Sequence, residues 1–361
     1  MHINGQAWRT IWLEADCRSV GIIDQTQLPH HFETVCLRTV EDAAHAIRVM
    51  LVRGAPLIGA AAAWGLFLGL LVDSSDAGLD AACAQLLRAR PTAVNLRWAV
   101  ERLRQVLAPL LPEQRPDAAR CEATALCEED VQVNQAIGVH GLSLITAQYQ
   151  RRGRPVNILT HCNAGWLATV DWGTALAPVF KAQQAGIPLH VWVDETRPRN
   201  QGAQLTAWEL ASAGIEHHLI TDNSGGWLMR QGRVDLCIVG TDRTTASGDV
   251  CNKIGTYLKA LAAADNGIPF YVALPGSTVD WTLADGMSIP IEERDEDEVR
   301  FVSGLAEDGQ VRRVRIAPEQ TRAANPAFDV TPARLVTGLI TERGICSASR
   351  EGLLGLFPEQ A

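Results

Sequence analysis

The chain has 361 residues, of which 47% are hydrophobic and 20% charged, and a formal net charge of −9. That is material for roughly two domains of about 150 residues, with enough apolar content for a large core without disulfide staples. The acidic balance excludes a protein that grips nucleic acid through a broad basic face, though not a local basic pocket for a small anion. The nine cysteines are odd in number and include no C-x-x-C pair, which predicts a reducing, cytoplasmic setting. The opening residues 1–16 contain no apolar core of a secretory signal. Residues 55–72 form an uncharged run of 18, short for a bilayer span; it carries Pro56, Gly59, Gly65 and Gly69 and stands alone. It reads as a buried helix, so no membrane is expected.

In chain order, β-like fragments at 8–13 and 34–38 are followed by helix-period segments at 40–52, 56–71, 79–89, 94–110 and a long 117–150. From about residue 150 the rhythm changes to strands alternating with helices. Strands are predicted at 156–160, 189–194, 217–222, 235–240 and 270–274, with helices at 174–185, 204–213 and 254–265. Three of these helices run into a glycine just before the next strand, at Gly186, Gly214 and Gly267. Glycine takes the left-handed position after a helix cheaply, so the repeated pattern predicts crossover helices and a parallel sheet. The expected fold is α/β: a mainly helical N-terminal domain over 1–147, then a Rossmann-like parallel-sheet domain over 148–361.

Ligands of an open parallel sheet bind beyond the carboxyl ends of its strands. The segments there are polar: 160–165 with His161 and Cys162, 194–197, 222–226, 240–243 with Asp242, and 275–278. Cys162 precedes Asn163, a plausible helix start whose dipole would lower the thiol pKa and make it a candidate nucleophile or base. A packed structural cysteine is the alternative, and His161 is read as packed. Asp242 ends an apolar strand, where a carboxyl can serve as general acid; a cap or a pair with Arg243 is the alternative. Asn252 and Lys253 are expected to open a helix and suit a phosphate, against the alternative of a solvated lysine. Arg53-Gly54-Ala55-Pro56 reads as a glycine turn with proline at the first helical position, an anion site. Arg90-Pro91-Thr92 resembles a similar entry.

No Walker-type loop, strand-linked G-x-G-x-x-G, H-E-x-x-H, Cys/His metal spacing or G-x-S-x-G elbow occurs. What remains is an isomerase or lyase acting on a small phosphate ester, with no cofactor and no metal.

The motifs carry the reading further. Segments 52–59 (VRGAPLIG), 90–96 (RPTAVNL), 159–165 (LTHCNAG), 194–202 (DETRPRNQG), 239–243 (VGTDR), 248–257 (GDVCNKIGTY), 275–280 (PGSTVD) and 289–294 (IPIEER) resemble, in order, those of the 5-methylthioribose-1-phosphate isomerase family. The resemblance implies a cytoplasmic, homodimeric aldose–ketose isomerase of methionine salvage. In it Asp242 is the general acid and Cys162 acts at C2, as a thiolate base or by stabilising the transition state, with a hydride shift also open. It further implies that Arg53, Gly54, Ala55, Arg90, Gln201, Asn252 and Lys253 bind substrate. Gln204 departs from the family, which commonly has a basic residue there. Two other readings stay open: an isomerase of ribose 1,5-bisphosphate or a related 5-deoxypentose 1-phosphate, and a non-catalytic regulatory subunit of the translation initiation guanine-exchange factor. The joint presence of Cys162 and Asp242 argues against the last.

Overall fold

The computed structural model describes residues 1–3, 5–91 and 93–361. The first half is built around the helix Ala55–Leu70, which is apolar on every side and buries 13 of its 16 residues. Helices Val40–Arg48, Asp76–Ala89, Val94–Leu107 and Arg115–Arg152 pack around it. A helix that is hydrophobic all round belongs in a core or a bilayer. Here its glycines decide, because Gly59 and Gly65 let Asn95, Ala43 and Leu86 approach within ordinary side-chain distance. No helix among the described residues is long and apolar enough to cross a membrane. A small antiparallel sheet of Ile11–Leu13, Val20–Ile23 and Thr34–Leu37 closes one side.

The second half holds a seven-stranded sheet. Its order is Gly344–Cys346, Gly338–Thr341, Phe270–Ala273, Leu236–Val239, Val156–Thr160, Leu189–Asp194, His217–Ile220, parallel except for the first strand. The five predicted strands occupy its centre and one edge, within two residues of their predicted ends. The predicted glycines 186, 214 and 267 all have positive φ. The long helix, expected over 117–150, runs Arg115–Arg152 and reaches into the second half. There Gly141 lies so close to Pro178 that a Cβ would stand 2.3 Å from its ring.

A second sheet was not legible in the sequence: Val279–Asp280, Arg243–Thr245, Val250–Lys253 and Phe328–Thr331. It places Asn252 and Lys253 in a strand; the helix expected to begin with them starts at Thr256. Hydrogen-bonding demand explains the difference, since residues 250–253 pair on both sides, with 243–244 and with 328–331.

Candidate active site

The strand order identifies where a ligand belongs. Val156–Thr160 is the first strand laid down; the next two go to one side of it, and Leu236–Val239 and its successors go to the other. The crevice at such a reversal is the binding position of open α/β sheets. Cys162 follows the first of these neighbouring strands and Asp242 the second, so the two meet across the reversal. Arg53, Gly54, Ala55, Cys162, Asp242 and Asn252 line one cavity there of about 30 Å³, room for little more than a water.

Cys162 is held in the left-handed region, φ 65°, a conformation a non-glycine residue keeps only when its surroundings impose it. Its N–H donates to Thr196 Oγ1 at 2.8 Å and its carbonyl accepts from Thr206 Oγ1 at 2.7 Å. The expected helix at Asn163 is not there; the chain makes only a short turn at Trp166–Ala168. With no helix dipole on it, the thiol is not activated as expected: burial pushes its pKa up, while the charges of Arg53 and Lys253 pull it back.

Asp242 is partly exposed, and its N–H donates to the Cys251 carbonyl at 3.0 Å, which ties its loop to the second sheet. Lys253 is buried, not solvated, and its ammonium sits 4.5 Å from the Phe328 ring centre. Burial lowers its pKa, opposed by the charge of Asp242. Asn252 is fixed by donating Nδ2 to Thr256 Oγ1 at 2.9 Å.

Arg53 and Gly54 form the predicted turn into the Ala55–Leu70 helix, with Pro56 as its second residue. Gly54 has φ 96°, and a Cβ there would stand 2.4 Å from the Ala168 carbonyl oxygen, so glycine is required twice over. Gly54 and Ala55 at that helix start line the cavity, and a helix start leaves N–H groups without intrahelical partners, as an anion site needs.

Arg90 ends the Asp76–Ala89 helix and does not begin another; Thr92 lies outside the described residues. Its guanidinium lies 3.7 Å from Glu292; burial lowers its pKa, while the charges of Asp242 and Glu292 raise it. Gln201 lies outside the small cavity, in an adjoining cleft of about 420 Å³ that shares Arg53. It sits at the start of a wide turn, Gly202–Thr206, and its buried Oε1 has no partner among the described residues.

The sequence reading missed the polar groups beneath these residues. His161 is packed, as expected, yet engaged at both ring nitrogens: Nδ1 lies 2.9 Å from Asp194 Oδ2 and Nε2 2.8 Å from the Ile254 carbonyl. Lys259 Nζ is 3.2 Å from the same Asp194 oxygen and also donates to the Asp222 carbonyl. His161, Asp194 and Asp222 bring one ligand atom each within 4.8 Å of one another. That set does not fit a metal ion, because the Lys259 ammonium already supplies the positive charge. Both Asp222 oxygens are also taken by the N–H groups of Thr196 and Arg197. Glu209, completely enclosed, accepts from Asn163 Nδ2 and from the backbone N–H of Trp166 and Leu167 at 2.8, 2.9 and 3.2 Å. Burial pushes its carboxyl up to about 7, with those hydrogen bonds opposing.

With this geometry in place, comparison with known proteins decides the family. The profile of the initiation factor 2 subunit family matches residues 51–348. Methylthioribose-1-phosphate isomerase of Paramagnetospirillum magneticum is 62% identical over 362 residues, covering all of both chains. The chain belongs to the methylthioribose-1-phosphate isomerase family. The enzyme of that name from Rhizobium meliloti is likewise 62% identical, again over the full length of both. Among solved structures, 5-methylthioribose 1-phosphate isomerase from Pyrococcus horikoshii OT3 superposes with TM-score 0.84 at 40% identity, covering 98% of this chain and 97% of that one. A structure titled translation initiation factor eIF-2B subunit delta, from A. fulgidus, superposes with TM-score 0.81, also at 40% identity, covering 98% of this chain and 100% of that one. The chain is an isomerase with the mixed α/β fold that the motifs implied.

Proposed function

We propose that this isomerase converts 5-methylthioribose 1-phosphate to 5-methylthioribulose 1-phosphate, in the cytoplasm and as a homodimer, with its helical part over 1–147 and its parallel-sheet part over 148–361. The single observation that carries the mechanism is that Cys162 and Asp242, from neighbouring strands at the chain reversal, line one cavity with the Arg53-Gly54-Ala55 anion site.

The substrate carries phosphate on its anomeric oxygen, so its ring cannot open by loss of an anomeric proton. Asp242, as general acid, protonates the ring oxygen as the bond from that oxygen to C1 breaks. Arg53, the helix-start N–H groups of Gly54 and Ala55, Lys253 and Arg90 hold the phosphate, whose negative charge offsets the positive charge that develops at C1. With no helix start at Asn163 to favour a thiolate at Cys162, the C2 hydrogen passes to C1 as hydride. The C2 hydroxyl gives its proton to the carboxylate that Asp242 has become, and the Cys162 thiol stabilises the forming carbonyl. The small cavity holds the reacting carbons, and the sugar extends past Arg53 into the cleft where Gln201 Oε1 awaits a donor.

The test is turnover of 5-methylthioribose 1-phosphate by the purified protein in D2O with chelator present, followed by NMR, beside a parallel arm with ribose 1,5-bisphosphate. The 1-phosphoketose should form at an unchanged rate from the methylthio substrate, with no deuterium at C1. Loss of turnover in chelator, or preference for the bisphosphate, would overturn the functional reading. One deuterium per turnover would replace the hydride shift by proton transfer. Size-exclusion chromatography with light scattering tests the dimer, which a monomer mass contradicts.

A further inference from the structure

Arg53 is a long, flexible cation, and an anion site needs it in one place before substrate arrives. It is held by a single residue of the Cys162 loop. Arg53 Nη1 donates to Asn163 Oδ1 at 2.5 Å and Nη2 to the Asn163 backbone carbonyl at 2.9 Å. An asparagine amide presents an acceptor at one end and two donors at the other, so this grip works only while Oδ1 faces Arg53. The opposite end decides that. Asn163 Nδ2 donates to Glu209 Oε1 at 2.8 Å and to Thr206 Oγ1 at 3.2 Å. An ionised carboxylate only accepts, and therefore selects the amide orientation that leaves Oδ1 for the guanidinium.

Glu209 is itself immobile. It is 1% exposed, anchored by the N–H groups of Trp166 and Leu167, and pressed against Gly165, where a Cβ would stand 1.9 Å from its Oε2. The same loop ends at Ala168, against which Gly54 packs. One buried carboxyl group, accepting from three N–H donors, thus braces both the side chain and the backbone of the Arg53-Gly54 turn.

We propose that Glu209 is a positioning residue for substrate binding, fixing the Asn163 amide and through it the Arg53 guanidinium. It touches no reacting atom. The inference rests on the reading of Arg53 as a substrate-binding cation, and the experiment separates the two.

Glu209→Gln keeps the shape but turns one oxygen into a donor, which lets the Asn163 amide reverse. KM for 5-methylthioribose 1-phosphate should rise about fivefold or more, with kcat within about twofold, the split that marks lost binding and not lost chemistry. Because Glu209 acts through Arg53, Glu209→Gln combined with Arg53→Ala should have the KM of Arg53→Ala alone. Asn163→Ala, which removes the relay and leaves Glu209 held by the Trp166 and Leu167 N–H groups, should show the same rise, and it serves alone should Glu209→Gln not fold. An unchanged KM in Glu209→Gln or Asn163→Ala, a fall confined to kcat, or multiplying effects in the double variant would overturn the proposal. An unchanged KM in Arg53→Ala would instead overturn the reading beneath it.

Discussion

Along the Ala55–Leu70 helix, the buried residues are alanine, glycine, leucine, isoleucine, tryptophan and phenylalanine, with no charge among them. At the carboxyl ends of the parallel strands, burial is as deep, yet the enclosed groups include Asp194, His161, Lys259, Glu209 and Lys253. Enclosing charge costs free energy unless every group finds a partner, and a paired set is at best weakly stabilising. Enclosing alkyl and aromatic surface stabilises directly, at about 25 cal/mol per Å². The first region accounts for the fold. The second is tolerated by the fold and explained by what it does to a substrate, so the two should respond differently to mutation.

In the helix, Leu66 is fully buried. Leu66→Ala should cost about 2–5 kcal/mol of stability through lost transfer energy and a cavity, read as a lower melting temperature and denaturant midpoint. The folded fraction should turn over at the normal kcat; a selective fall in kcat would blur the contrast. At the strand ends the pattern reverses. Cys162→Ala, which removes the donor to the forming carbonyl, should lower kcat by about 10²-fold while leaving the melting temperature nearly unchanged. Cys121→Ala, on the exposed face of the long helix, is the matched control and should retain full kcat. Cys251 cannot serve as the control, because it is buried in a strand whose backbone holds the Asp242 loop.

Arg53→Ala comes next. It removes charge-assisted hydrogen bonds worth about 1.5–3 kcal/mol, so steady-state kinetics should show a raised KM on an intact fold. The smallest effect concerns pH. Asp130 is partly buried, accepting from the Val170 N–H and from Asn134 Nδ2, and burial raises its carboxyl from 3.8 to about 7. A carboxyl whose pKa is higher folded than unfolded stabilises the native state fully only below the unfolded value. That contribution is lost as pH rises from about 4 to about 7 and is absent above. Denaturation across this window should show stability falling with pH, and Asp130→Asn should make the fall shallower. The slope will not vanish, because Glu209 carries the same sign over the same window. A slope equal in both proteins would contradict the assignment.

How much of this was legible in the sequence follows the range of the forces involved. Helices and central strands were, because 3.6- and 2-residue periods are local, and so were glycines 186, 214 and 267, whose φ is a local demand. Strand order was not, and the order is what brings Cys162 and Asp242 to one crevice. Lys253 was misplaced onto a helix because pairing with 328–331, far away in the chain, overrides local tendency. The Cys162 loop defied expectation for a similar reason: Thr196 and Thr206, 34 and 44 residues on, hold its backbone. Glu209 reads in isolation as one more acidic residue on a helix. Only the folded chain shows three donors converging on it.

The account's central claim is that the polar pocket at the chain reversal exists for acid-catalysed ring opening and not for stability. Asp242→Asn tests it most directly, since the amide keeps the size and much of the hydrogen bonding but cannot deliver a proton. The measurement is kcat on 5-methylthioribose 1-phosphate beside the melting temperature of the same preparation. The account predicts a loss in kcat of about 10²-fold or more with the melting temperature essentially that of the parent protein. Retained turnover in a folded Asp242→Asn protein would contradict it.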